Sequence, residues 1–283
     1  MNIPDCIYAI IATYLRDNTT AHLYCVEKAG CVCVTEIIKE KGYYTDDDEN
    51  VFKGEYQYTY VNGQLQSLGD IPSVVFNCDI FMYREWHKKG KLHRENDQPA
   101  IMEDYTPEGV EDEHTCIYNW YTEGELTKQI NYKEDRAIFY FYRNGILHRE
   151  GDNPAIIIKS YPDNTLIEQH FYKEGNLHRD NDNPAVITED TCTWYINGLE
   201  SRESNKPSFL VSYGNHMYMR YQKNGKYLIR YPSQVSINLS TNEVTTYYWN
   251  GYKHVPYIEK NLLMTILAII IVIVIWIVLS CLN

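Results

Sequence analysis

The chain has no surplus of positive charge. Lysine and arginine number 26 against 38 aspartates and glutamates, for a formal net charge of -12 and a pI near 5.2. Nonspecific nucleic-acid binding requires basic surface to neutralise phosphates, so no nucleic-acid partner is expected. A basic protein partner remains compatible. No secretory leader is expected either. Met1 to Leu15 carries Asp5 early and has neither a basic start nor a long apolar core. The eight cysteines are Cys6, Cys25, Cys31, Cys33, Cys78, Cys116, Cys192 and Cys281. They follow no repeating interval, so no disulfide framework is expected, and reduced thiols in a cytosolic setting are the simplest reading. No nucleophile–base motif and no phosphate-gripping glycine loop occurs, so no enzymatic activity is expected. His178-Arg179-Asp180 spells the start of a kinase catalytic loop, but the asparagine due five residues after the aspartate is Ala185.

What the chain does have is a cassette. His-Arg-x-x-Asp-x-Pro-Ala is written three times, each time behind an aromatic residue and a glycine: Trp86 to Ile101, Phe141 to Ile156 and Phe171 to Val186. Gly63, Gly90, Gly145, Gly175 and Gly198 each have a proline nine residues later: Pro72, Pro99, Pro154, Pro184 and Pro207. Gly225 with Pro232 is a shortened copy, Gly124 keeps only the first half, and Gly251 is a terminal remnant. A repeated unit sets the architecture before any local reading does.

Both halves of the cassette read as β structure. The 27 tyrosines suit half-buried pleated surface. Asn62-Gly63, Asn144-Gly145, Asn197-Gly198, Asn224-Gly225 and Asn250-Gly251 are short-hairpin signals, because such turns need positive φ. A strand over Ile146 to Glu150 then leads to a second turn at Gly151-Asp152-Asn153-Pro154, and Ala155 opens the next strand. About three strands per copy follow.

The recurring histidines, His93, His148 and His178, and aspartates, Asp97, Asp152 and Asp182, raise the question of a metal. Metal ligands converge on one point, whereas these are spread along the array. Worn copies decide the matter: Gln66 and Ser201 replace the histidine while Asp70 and Asn205 keep a turn acceptor. The predicted site residues are therefore turn formers, namely Gly63, Pro72, Gly90, Asp97, Pro99, Gly145, Asp152, Pro154, Gly175, Asp182, Pro184, Gly198 and Pro207. Arg94, Arg149 and Arg179 are expected to make forked bonds to these or neighbouring carboxylates. No metal or cofactor is expected.

Leu262 to Leu282 has no charged residue and is mostly Leu, Ile and Val. As a helix it rises about 31 Å, the thickness of a hydrocarbon core. Only Asn283 follows, so the expectation is a single-pass tail anchor with the bulk of the chain cytosolic. Lys253 and Lys260 precede it, in line with the positive-inside rule.

Over about residues 56 to 253 the cassettes resemble MORN-type repeats, in particular those abundant in uncharacterised proteins of giant DNA viruses. That resemblance implies an elongated β-sheet scaffold used for binding or membrane association, and it carries no catalytic residues. The N-terminus has a second resemblance. Ile3, Ile7, Ile10, Ile11 and Leu15 fall at helical spacing behind Pro4, and Leu23 and Val26 follow a break. Together, Ile3, Pro4, Ile7, Ile10, Ile11, Leu15, Leu23 and Val26 look like an F-box, which implies docking to a Skp-type adaptor of a cullin ubiquitin ligase. An ordinary helical cap on the sheet would show the same pattern. Cys31-Val32-Cys33-Val34 stands where an F-box usually has tryptophan.

The sequence thus predicts a mainly β chain. Residues 1–40 form a small helical F-box-like segment, 41–55 an acidic linker, 56–255 an elongated antiparallel hairpin and meander repeat array, and 261–282 one transmembrane helix. The leading functional expectation is a non-enzymatic, membrane-anchored scaffold with an unknown protein partner. The second is a membrane-held F-box subunit that recruits substrates.

Overall fold

A computed structural model describes residues 20–26, 32–46, 49–105, 115–203, 206–228, 232–249 and 254–257, with the backbone alone at 20–26, 32–34 and 254–257. The chain is mainly β and forms an antiparallel meander. It divides into two compact units, Met1–Glu168 and Gln169–Asn283.

In the first unit the main strands are Thr20–Val26, Val32–Thr45, Val51–Val61, Val74–Asn77, Phe81–Glu85, Ile101–Tyr105, Thr115–Thr122, Glu125–Tyr132, Arg136–Arg143 and Ile156–Ser160. Each pairs antiparallel with the next. In the second unit Val186–Thr188, Thr191–Thr193, Phe209–Tyr213, His216–Arg220, Gln234–Asn238, Glu243–Trp249 and His254–Tyr257 do the same.

The cassettes are connections between neighbouring main strands. Tyr140 pairs with Ile156 directly across the sheet, and the cassette between them makes an excursion. It begins with a two-residue hairpin such as Tyr142–Arg143 against Ile146–Leu147, His87–Lys88 against Lys91–Leu92, or Tyr195–Ile196 against Leu199–Glu200. Both central residues of these tips have positive φ: 50° and 76° at Asn62-Gly63, 51° and 76° at Asn144-Gly145, and 51° and 81° at Asn197-Gly198. That is the type I′ turn the asparagine–glycine pairs demand. Lys89, Glu123 and Glu174 take the same conformation without asparagine.

The strand expected over Ile146 to Glu150 ends at Leu147, because the chain leaves the sheet there to lay Arg149 over Phe141. Each full copy therefore adds two main strands and a miniature hairpin.

Residues 41–45 and 51–55, expected to be an acidic linker, are strand. Alternating aromatic residues override the charge here: Tyr44 and Phe52 join Phe76, Phe81, Tyr56, Tyr83 and Tyr105 in the first unit's aromatic core. The ring centroids of Phe52 and Phe81 are 4.7 Å apart, and those of Tyr44 and Phe81 are 4.8 Å apart. Such pairs add about 0.5–1.5 kcal/mol beyond area burial. Asp46 closes the hairpin tip by accepting from Asn50 N at 2.8 Å and Asn50 Nδ2 at 2.9 Å. Gly54 is required in this hairpin, since a Cβ would lie 2.4 Å from Asn77 O.

Residues 20–26 and 32–40 are also strand, not helix, and Leu23 and Val26 pair with Thr35 and Val32. The β-branched run Val32, Val34, Thr35, Ile37 and Ile38 favours the pleated conformation. Ile3, Pro4, Ile7, Ile10, Ile11 and Leu15 lie outside the described residues, as do residues 261–282. No helix among the described residues is long and apolar enough to cross a membrane.

Candidate functional site: the repeated clamp and the cavity beside it

The cassette builds one recurring clamp, and its most buried member is the residue after the proline. Ser73, Ala100, Ala155, Ala185, Ser208 and Ser233 are all 0% exposed. The backbone explains why. The carbonyl of this residue accepts from the N–H of the cassette aromatic, as in Trp86 N to Ala100 O, Phe141 N to Ala155 O, Phe171 N to Ala185 O and Trp194 N to Ser208 O, each at 2.8 Å. Its own N–H donates to the following strand: Ala100 N to Asn119 O and Ser208 N to Arg220 O at 2.8 Å. A side chain larger than serine has no room between them. The signal was present in the sequence, where every one of these prolines is followed by alanine or serine, but it carried no weight beside the charged residues.

The arginine guanidinium lies over the ring of the cassette aromatic. Guanidinium-to-ring distances are 3.9 Å for Arg94 over Trp86, 3.7 Å for Arg149 over Phe141, 3.6 Å for Arg179 over Phe171 and 3.8 Å for Arg202 over Trp194. In the half copy Lys128 takes this place over Trp120, at 3.9 Å. Each arginine Nη1 also donates to its own cassette's proline carbonyl: Arg94 to Pro99, Arg149 to Pro154 and Arg179 to Pro184 at 3.3 Å, and Arg202 to Pro207 at 3.2 Å. A partly desolvated cation over a ring contributes on the order of 1–2 kcal/mol.

Three further contacts join one copy to the next. First, each tryptophan Nε1 donates to the backbone carbonyl of the preceding copy's aspartate: Trp86 to Asp70 at 2.9 Å, Trp120 to Asp97 at 3.0 Å and Trp194 to Asp182 at 2.8 Å. Second, the aspartate carboxylate faces the next copy's cation. Arg202 makes a forked pair with Asp182 at 2.8 and 3.1 Å, Lys128 stands 3.7 Å from Asp97, and Arg94 stands 3.8 Å from Asp70. Lys206 adds a bond to Asp182 at 2.6 Å. Burial alone would raise the Asp182 carboxyl, but Arg202 and Lys206 outweigh it and hold the group below its ordinary value.

Third, the hairpin tips dock in sequence. The tip glycine N–H donates to the preceding hairpin: Gly90 to Leu65 O at 3.0 Å, Gly124 to Leu92 O at 2.9 Å, Gly198 to Leu177 O at 2.9 Å and Gly225 to Glu200 O at 2.8 Å. The N–H of the residue before the glycine donates to the side chain at the histidine position. Asn197 N reaches His178 Nδ1 at 3.1 Å and Glu123 N reaches His93 Nδ1 at 3.4 Å. In the worn copies Lys89 N reaches Gln66 Oε1 at 2.7 Å and Asn224 N reaches Ser201 Oγ at 3.1 Å. The histidine serves as a hydrogen-bond acceptor, and glutamine or serine does the same work.

The predicted turn residues thus fall into place with one change of role. The glycines form the tips and the prolines precede the buried small residue. Asp97 and Asp182 do sit in positive φ, at 51° and 59°. Their carboxylates, however, reach the next copy's cation, as the Arg202 and Lys128 geometry requires. In the second copy only the residue before the aspartate, Gly151, has positive φ, at 71°, where the other two copies have it at Asn96 and Asn181 as well.

One arrangement has the residue types of a catalytic triad. Ser73 Oγ is 2.8 Å from His87 Nδ1, and His87 Nε2 is 3.6 Å from Glu85 Oε2. Ser73 is wholly buried, so no substrate reaches its oxygen. Burial pushes the His87 imidazole below its ordinary value, against an opposing pull from Glu85. Cys78, Cys116 and Cys192 are free thiols, and burial raises that of Cys116 to about 11. Among the described residues no three His, Cys, Asp or Glu side chains gather into a metal-holding group.

Beside the clamps of the first unit lies an open cavity of about 560 Å³, lined by residues that include Arg84, Arg94, Met102, Tyr118, Trp120 and Tyr132. Arg84 Nη2 bonds Asp104, whose other oxygen accepts from Tyr118 Oη at 3.3 Å. Compared with known protein families and with curated proteins, the chain matches none.

Proposed function

We propose that this chain is a non-enzymatic repeat scaffold of the MORN-like kind, held at a membrane by residues 262–282, that presents the loops and faces of its sheet to a protein partner or a lipid surface. The observation that carries this reading is the interchange at the histidine position. His93 and His178 make the same bond to the next hairpin that Gln66 and Ser201 make. An imidazole that works by titrating is not replaceable by serine and glutamine; a bond acceptor is. Arginine and aspartate are likewise engaged in holding copies together. The recurring chemistry supports a framework, and function then lies on the surface that the framework displays.

The test is fractionation of the full chain beside a chain ending at residue 260, followed by a partner screen with the shorter chain. The full chain is expected to resist alkaline extraction from membranes, and the shorter chain to remain soluble and retain a saturable partner. Alkaline release of the full chain contradicts the anchor, and substrate turnover contradicts the scaffold.

The second reading is a substrate-recruiting F-box subunit, supported by the sequence pattern of Ile3, Pro4, Ile7, Ile10, Ile11 and Leu15. Strand at Leu23 and Val26 weakens it, since a helical module would have to end before Thr20. Co-purification with a Skp-type adaptor, lost on Ile7→Asp or Leu15→Asp, separates the two readings. Absence of adaptor in mild detergent removes the second.

A further inference from the structure

The two units use the same cassette but fill the adjoining sheet face differently. In the second unit one rung reads Cys192, Leu210, Met219 and Val235, a closed apolar cluster completed by Trp194, Met217 and Ile237. In the first unit the corresponding rung reads Arg84, Met102, Tyr118 and Ile130, and it borders the 560 Å³ cavity.

The cassette frame makes the comparison residue by residue. Arg84 stands two places before Trp86, as Met219 does before Tyr221. Asp104 stands four places after Ala100, as Ile237 does after Ser233. The fold therefore accepts methionine and isoleucine within one apolar cluster where the first unit places an ion pair with side chains 29% and 20% exposed. Replacing such a pair by well-packed apolar residues is often neutral or stabilising. Stability alone does not explain its presence.

The guanidiniums are also incompletely matched. Arg84 Nε and Arg94 Nε are both buried without an acceptor. Arg94 has Asp70 at 3.8 Å as its carboxylate, and that side chain is 93% exposed. Burial lowers the Arg94 pKa, Asp70 offsets this in part, and the charge of Arg84 adds to the lowering. Two cations thus share the lining of one cavity with the rings of Tyr118, Trp120 and Tyr132. A cavity of this volume is the size of a small-molecule site, in which apolar walls give affinity and a few polar groups fix orientation. Arginine is the side chain suited to planar, two-point recognition of a carboxylate.

We propose that this cavity binds a small carboxylate whose body is aromatic or otherwise planar and apolar. The carboxylate lies against Arg84 and Arg94, and the body lies against Tyr118, Trp120 and Met102. The site is additional to any partner surface of the scaffold and does not depend on it.

The test is calorimetric titration of the full chain in nonionic detergent with 2-naphthoate and with the neutral 2-naphthylmethanol, each corrected for detergent alone. Naphthoate is expected to bind about tenfold or more tightly than the alcohol. Arg84→Met/Asp104→Ile, which imports the packing of the second unit, is expected to abolish that preference with no fall in Tm. Arg94→Gln, read in parallel, is expected to weaken naphthoate about tenfold. Equal binding of the two probes, binding of neither, or naphthoate affinity unchanged in both variants overturns the proposal.

Discussion

One sheet face is closed in Gln169–Asn283 and open in Met1–Glu168, although both units carry the same clamp. The closed face is built of aliphatic, sulfur-bearing and indole side chains. The open face has arginine, aspartate and tyrosine at the matching positions. The difference teaches that the cassette supplies the framework by itself. Its buried alanine or serine, its stacked cation and its docked hairpin recur whatever lies beside them. The neighbouring rung is then at liberty to be core in one place and cavity in another.

The sharpest break in the comparison comes from one truncation made twice. Leu210 is buried in the closed cluster, and Met102, at the matching position, borders the cavity. Leu210→Ala is expected to cost about 3–4 kcal/mol. Met102→Ala, with an opening already beside it, is expected to cost about 1 kcal/mol. The free thiols read each unit separately, since Cys192 lies in the second and Cys116 in the first. Alkylation of Cys192 in native buffer should accelerate strongly in Leu210→Ala, and that of Cys116 only slightly in Met102→Ala. Equal acceleration would erase the distinction between core and cavity.

Next in size is the position that should not differ. Ala100 and Ala185 are both fully buried, one in each unit. Leucine at either position overpacks the clamp and is expected to cost about 1–3 kcal/mol. Denaturant titration that finds one of the two indifferent would show that the clamp is not a shared element.

Acid should act on the units in different windows. His87, in the first, has its folded value depressed by burial. Its contribution is therefore whole above the ordinary unfolded value of about 6.5 and is lost as pH falls below it. Asp182, in the second, is depressed by Arg202 and Lys206 against the effect of burial. Its contribution persists down to about pH 4 and is lost below that. His87→Gln should flatten the first step of a Tm–pH profile and Asp182→Asn the second; a profile unmoved by either substitution contradicts the assignment.

The smallest effect is expected at His178. Glutamine there keeps an acceptor for Asn197 N, as Gln66 does for Lys89 N, so His178→Gln should change stability by less than about 0.5 kcal/mol. His178→Leu leaves that N–H without its partner and should cost about 1 kcal/mol. Similar values for both variants would mean that the bond contributes nothing.

The meander, the hairpin tips and the proline positions were legible in the sequence, because positive φ and a missing N–H restrict which residues fit. The role of the histidine was half legible: the replacements Gln66 and Ser201 spoke for a turn or framework role without naming the bond. The buried alanine was missed because a small side chain has no chemistry to notice. The arginine's ring was not legible, because it lies eight residues earlier in the chain, as Trp86 does from Arg94, and is brought back by a hairpin. The strands at 41–45 and 51–55 were hidden by the charge run between them. The cavity was not legible at all, since it depends on which residues of separate strands share a rung.

The central claim is that the recurring charged residues join one copy to the next. A double-mutant cycle on Asp182 and Arg202, whose forked pair spans two copies, tests it most directly. With Asp182→Asn and Arg202→Met, measured by denaturant unfolding of the full chain, the account predicts a coupling energy of about 1–3 kcal/mol. Strictly additive single substitutions would show that the two copies stand side by side without being joined there, and would contradict it.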